Sequence, residues 1–305
     1  MHRASAQSVN QKFNVMKKNA MLFVCVFMGM AVSCQSPSDE PQAAEISGQM
    51  QVPSYAEDTL VTIHFANREI FMHAMTRGDI SEAASHLDMW LSDGTTTTEI
   101  HQASTDDGFG TASVTLNKTK TYTLYAMAHK GAAAATLTDG VISFPDDKVK
   151  DSFWYTTSFS PATTTTVDAT LNRIVAQFQF TTADAVPDWC KTMRFTIHDV
   201  YDRWSVTDGA THQLDRVSTF QNFSTKADGT VTFTIYAIVS DASTTHDILV
   251  EALDANGDVC ESHTFSDVPL QVNHRTVATG TFFSDAAETF SFSTQDWSDD
   301  ISYSF

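Results

Sequence analysis

Residues 167–180 read VDATLNRIVAQFQF, and within this stretch Ile174, Ala176, Phe178 and Phe180 alternate with Arg173, Gln177 and Gln179. Successive side chains of a strand point to opposite faces, so a strict two-residue period fixes an extended chain with one apolar side. The same grammar runs outward in both directions. Toward the N-terminus, Val61, Ile63 and Phe65 alternate with Thr62 and His64, Leu87, Met89 and Leu91 flank Asp88, and Tyr122, Leu124, Ala126 and Ala128 form a further face. Toward the C-terminus it continues through Met193, Phe195 and Ile197, then Val231, Phe233 and Ile235, then Ile248, Val250 and Ala252. No helical period is sustained, and residues 80–87 have room for two turns at most.

Asp93-Gly94, Asp107-Gly108, Asp139-Gly140, Asp208-Gly209, Asp228-Gly229 and Asn256-Gly257 punctuate these runs. Such pairs supply the positive φ that tight hairpins require, so many short strands with recurrent turns predict an all-β sandwich architecture rather than βαβ units. With 305 residues, 42% of them apolar and 21 of them Phe, the chain can build more than one core. The stretch at 158–166, with Pro161 and a run of four Thr, marks the expected division into a sandwich at 58–163 and another at 164–305.

The N-terminus carries a different signal. Met16-Lys17-Lys18 precedes an apolar run at 21–32 that includes Leu22, Phe23, Val24, Val26 and Phe27, followed by Ser33-Cys34. This is the order of a secretory signal peptide at residues 1–33, with Met16 as an alternative start. The run is shorter than the ~18 apolar residues a membrane span needs. Ala31-Val32-Ser33-Cys34 resembles a bacterial lipobox, whose cysteine receives a diacylglycerol and becomes the new N-terminus, although position 31 departs from the usual Leu. Residues 34–57 then read as a lipidated flexible tether, and its acidic Ser38-Asp39-Glu40 resembles the surface-export signal of Bacteroidetes lipoproteins. Acyl chains contribute about 0.8 kcal/mol per buried CH₂, enough to hold a soluble domain at a bilayer without a spanning helix.

The formal net charge is −19, and residues 1–33 hold Arg3, Lys12, Lys17 and Lys18 with no acid, which leaves −23 from Cys34 onward. A field of that sign repels phosphate backbones and anionic headgroups and excludes nucleic acid as a partner. Cys190 and Cys260 remain in the mature chain. An oxidising compartment permits a disulfide between them, and the preferred reading is two buried free thiols.

The opening stretch also looks like the L-x-R-x-V-A signature strand of the Bacteroidetes fimbrillin superfamily, carried here by Leu171, Arg173, Val175 and Ala176. SHLDMWLSDG at 85–94 is similar to a strand and turn of FimB/Mfa2-type fimbrial subunits, and TYTLYAMAHKGAAAATLT at 121–138 to the strand and small-residue loop that follow. Residues 249–283 resemble their late strands, and FSFSTQDWSDDISYSF at 290–305 their C-terminal strand. The resemblance spans most of residues 60–305 and implies two transthyretin-like β-sandwich domains in tandem. It further implies a non-enzymatic, lipid-anchored (palmitate-bearing) subunit of a fimbrium at the cell outer membrane, acting in cell adhesion with other fimbrial subunits and no cofactor. Its place as anchor, shaft or tip stays open. Shaft subunits of the family are cut after an Arg, for which Arg68 and Arg77 are the candidates, and assemble by strand donation. The alternating segment with Phe290, Phe292, Ile301, Tyr303 and Phe305 is a donor candidate, though completion of its own domain is preferred.

The other motifs read as structural. Arg77-Gly78-Asp79 is an integrin-type tripeptide whose simplest reading is a turn. His198 and His212 with Asp199, Asp202, Asp208 and Asp215 match no zinc or EF-hand spacing, so no metal is expected. No G-x-S-x-G elbow is present. The alternative to a fimbrial role is a surface glycan-binding lipoprotein, in which some of Trp90, Trp154, Trp189, Trp204 and Trp297 stack on sugar rings of a host or glycan ligand.

Overall fold

Alternation along each segment becomes pairing between segments in the computed structural model, which describes residues 57–67, 80–240, 244–284 and 290–296. The first strands are β1 (Asp58–Asn67), β2 (His86–Ser92), β3 (Thr97–Ala103), β4 (Thr111–Asn117) and β5 (Tyr122–His129), with one helical turn, α1 (Ile80–Ala83), after β1. Next come the short β6 (Thr136–Thr138) and β7 (Val141–Ser143), then β8 (Ser152–Phe159), β9 (Thr166–Arg173), β10 (Val175–Thr182) and β11 (Thr192–Ser205). The chain continues with β12 (Gly209–Gln221), β13 (Thr232–Ile238), β14 (Thr244–Leu253), β15 (Val259–Leu270), β16 (His274–Gly280) and β17 (Phe290–Asp296). All six glycines of the Asp-Gly and Asn-Gly pairs have φ between 77° and 87°, the left-handed region that L side chains disfavour.

Two sheets result. The first has the order β3-β2-β5-β8-β9-β1-β4. β8 and β9 touch only where Phe153 faces Arg173 and Trp154 faces Asn172, so the β4-β1-β9 ladder folds back across the rest of the sheet. Val61 and Ile63 of β1 thereby share a core with Leu87 and Met89 of β2, Leu124 of β5 and Leu171 of β9. The second sheet runs β15-β14-β11-β13-β10-β16-β17, with β12 also on β11. It curls until its ends meet: Phe265 of β15 lies 4.6 Å from Phe290 of β17, over a core containing Phe178, Phe180, Phe195 and Phe233.

The expected division at 163/164 falls before β9, whereas the chain changes sheets at Ile174, because the parallel pairing of β9 with β1 keeps it in the first sheet. The β6-β7 hairpin crosses the other way, setting Val141, Ile142 and Ser143 against Ser205, Trp204 and Arg203 of β11. A third apolar cluster, with Trp90, Met127, Phe144, Val175 and Ile238, fills the space where the two sheets meet.

That cluster explains why β2 is buried on both faces. Asp88, on the side opposite Leu87 and Met89, has no exposed surface. A buried carboxylate needs compensating donors, and Asp88 has three: His101 Nδ1 at 2.7 Å, His129 Nε2 at 2.9 Å and the Ala135 N–H at 2.8 Å. The last fastens the segment that leads into β6 and β7. Gln177, marked by alternation as polar-facing, is likewise buried and bonds to Tyr236 Oη and Arg275 Nε.

Candidate functional site

Cys34, Arg68, Arg77, the tripeptide at 77–79, Trp297 and the apolar and aromatic positions Ile301, Tyr303 and Phe305 lie outside the described residues. The four signature residues belong to two strands that meet at Ile174. Leu171 enters the first core, Val175 the junction cluster and Ala176 the second core. Arg173 clamps the crossing point. It donates Nε and Nη2 to the two oxygens of Asp151 and Nη1 to Asn273 Oδ1 at 3.0 Å, and lies 4.6 Å over the Phe153 ring. These residues hold the sheets together rather than face a ligand.

Both cysteines are free, Cys190 buried and Cys260 exposed, so only one of the expected buried thiols is buried. The Lys191 N–H bonds to Leu253 O and Leu253 pairs with Val259, which places β14 between the two cysteines. Two strand spacings, roughly 9.6 Å, exceed the ~7 Å that a disulfide tolerates between Cα atoms. Burial pushes the Cys190 thiol pKa up.

The histidines and carboxylates of β11 and β12 form separate pairs rather than one cluster. A bulge between Ile197 and Val200, with Asp199 at φ 58°, sets His198 Nδ1 3.0 Å from Asp215. His212 Nδ1 lies 2.6 Å from Asp202, and Asp208 accepts from the hydroxyls of Ser205 and Thr207. The His198 bond, then the Asp199 N–H, hold Asp215 below its ordinary pKa. Among the described residues no three His, Cys, Asp or Glu side chains converge as metal ligands.

Two surfaces do face outward with recognisable chemistry. One is the pole where residues 183–191, 222–231 and 254–258 gather, stitched by Val186 N–H to Gly229 O at 3.0 Å and Asn222 N–H to Lys191 O at 3.4 Å. It carries a groove of about 300 Å³ bounded by Val186, Pro187, Asp188, Lys191, Asn222 and Phe223. A second groove of about 510 Å³, bounded by Thr192, Gln221, Asp254 and Asn256, shares Lys191 and Asn222 with it. The turn from Pro187 to Cys190, closed by Cys190 N–H to Pro187 O at 3.0 Å, presents Trp189 at 39% exposure. Of the five tryptophans, Trp90 is fully buried, while Trp154 and Trp204 pack 6.1 Å apart at the sheet junction. β11 begins at this pole and reaches β7 at its other end, about 45 Å away at the usual rise over 14 residues.

The other surface is β17, which ends the second sheet with Ser291, Phe292, Ser293, Thr294 and Gln295 exposed. It completes the chain's own sheet by antiparallel pairing with β16, Ala278 facing Phe292 and Gly280 facing Phe290. No helix among the described residues is long and apolar enough to cross a membrane.

A protein-family model described as a family of unknown function (DUF6562) matches residues 133–303, from before β6 to beyond β17. No curated protein matches the sequence. Among solved structures, a candidate adhesin from Bacteroides ovatus is similar with a TM-score of 0.51 at 10% identity, over 79% of this chain and 95% of that one. A candidate adhesin from Bacteroides thetaiotaomicron VPI-5482 gives 0.50 at 8% identity, over 79% and 97%. The fimbrial anchor protein Mfa2 from Porphyromonas gingivalis gives 0.46 at 10% identity, over 78% and 97%. At these identities the likeness is one of fold.

Proposed function

The chain belongs to the DUF6562 family, and from that premise we propose that it is a non-enzymatic cell-surface lipoprotein, an adhesin-type or fimbrial accessory subunit that joins partner subunits through strand pairing. Lipid on Cys34 holds it at the outer membrane, and the tether to residue 57 sets its stand-off. The fold shared with two candidate adhesins over nearly their whole length supports this reading.

The observation that carries it is the edge at β17. An edge strand offers unpaired backbone N–H and C=O groups, and proteins that must stay unpaired protect such edges with Lys, Pro or bulges. β17 reads FSFSTQD, with no Lys and no Pro, and its register with β16 is unbroken. β15 at the other end carries Pro269, Glu261 and two register shifts. Among the described residues β3 and β4 of the first sheet also end in edges without Lys or Pro, and of these edges β17, beside the C-terminal segment, is the one proposed to receive a partner's extended segment.

The test is to place charge on that edge. Wild-type chain expressed in its own cells is expected to co-purify with other surface subunits in outer-membrane assemblies, and Ser291→Lys/Ser293→Lys to lose them while unfolding normally. Assemblies unaffected by the two lysines contradict the strand-pairing part, and a chain absent from the cell surface contradicts the whole.

A further inference from the structure

We propose that the loop pole of the second sheet is a glycan-binding site, seating a neutral pyranose ring on Trp189 and holding its hydroxyls with side chains of the two adjoining grooves. The inference rests on the surface reading above, since only a displayed pole meets a glycan.

Tryptophan is highly buried on average, and Trp90, Trp154 and Trp204 follow that rule. Trp189 departs from it at 39% exposure. Its ring is nonetheless held. The Phe283 ring packs against it at 78° with 5.9 Å between ring centres, and Phe283 is fixed by Phe282 at 4.9 Å and by its own N–H bond to Asp184 at 2.6 Å. A braced indole at this exposure offers apolar aromatic surface of the kind that stacks on the C–H face of a pyranose.

The neighbouring polar groups suit the remaining hydroxyls. Asn222 and Gln221 each present an amide with donors and an acceptor, Asp188 presents acceptors, and Asn256 and Lys191 keep further donors beside the bonds that they make to Asp254 Oδ2 and Asp188 O. Trp189 stands in the chain between Asp188 and Cys190, both residues of the smaller groove's wall. The two grooves adjoin through Lys191 and Asn222 and together have room for more than one sugar ring, within the size range of small-molecule sites. Asp188, Asp254 and the net charge of −23 from Cys34 onward act against uronic and sialic acids, so the ligand is a neutral chain. The pole also lies at the far end of β11 from the sheet junction.

The experiment measures binding of the full mature chain to cellohexaose, maltohexaose, mannohexaose and N-acetyllactosamine, beside oligogalacturonate and sialyllactose. At least one neutral oligosaccharide is expected to bind. Trp189→Ala is expected to weaken it roughly tenfold or more, Trp189→Phe to keep most of the affinity and Asn222→Ala to weaken it, with unchanged unfolding midpoints. Absence of neutral-sugar binding, binding confined to the acidic sugars, or wild-type affinity in Trp189→Ala overturns the site. Antibody labelling of intact cells separates the two levels: labelled cells without sugar binding sink the site alone, and unlabelled cells sink both.

Discussion

Arg173 holds Asp151 at two points, Nε to Oδ1 at 2.7 Å and Nη2 to Oδ2 at 3.2 Å, with both side chains only 6% exposed. Arg173 is the last residue of β9 and Asp151 immediately precedes β8, so the pair closes the place where the chain leaves one sheet for the other. Breaking a buried ion pair from one side is costly because the remaining charge stays buried, whereas replacing both partners with apolar groups is often tolerated.

Arg173→Leu is accordingly expected to lower unfolding stability by about 3–5 kcal/mol, and Asp151→Leu/Arg173→Leu to recover most of that loss. Urea titrations of the three chains decide it. Equal losses in the single and double variants contradict the role of the pair.

Asp88→Asn removes a carboxylate that accepts from three donors and substitutes an amide whose NH₂ must face one of them. The expected cost is about 2–3 kcal/mol. The His129 ring N–H, which now donates to Asp88 Oδ2 at 2.9 Å, should shift in the NMR spectrum. An unaltered signal and stability would show that the three donors are satisfied elsewhere.

Acid should weaken the hairpin turns. The Thr230 hydroxyl and N–H hold Asp228 below its ordinary pKa, and the N–H groups of Asp258 and Asn256 do the same for Asp254. A depressed folded value means that the contribution is complete above the unfolded pKa of about 3.9 and fades as pH falls through the folded value. The stability gap between wild type and Asp254→Asn, read from urea midpoints, is expected to be constant from pH 7 to about 5 and to shrink below about 4. A gap that persists to the lowest pH refutes the assignment.

Gly229 and Gly257 share a positive φ, but a Cβ on Gly229 would lie 2.8 Å from Ala185 Cβ, while one on Gly257 meets nothing within 4 Å. Each Ala substitution should cost about 1–2 kcal/mol for the left-handed backbone, with Gly229→Ala the more damaging. Thermal unfolding of the two variants side by side tests the difference.

The period-two runs and the six glycine turns were legible because both follow from local chemistry, the alternation of a strand and the φ that a turn demands. What the chain does beyond nearest neighbours was not. Alternation marks Asp88 and Gln177 as polar-facing, yet a second sheet and an apolar junction cover those faces. Pro161 and the Thr run look like a boundary, but whether β9 belongs before or after it depends on β1, about a hundred residues upstream. The grooves of the loop pole join residues near 188, 222 and 256, which no spacing rule connects. Trp189 was one of five tryptophan candidates, and among the four that are described its exposure distinguishes it.

The central claim, that this all-β chain is held at the cell surface through Cys34, is tested most directly by mass spectrometry of the N-terminal peptide from membrane-extracted protein. The expected peptide begins at Cys34 and carries acyl chains, and Cys34→Ala releases the protein from the membrane fraction. An unmodified N-terminus, or a Cys34→Ala chain retained at the membrane as before, contradicts it.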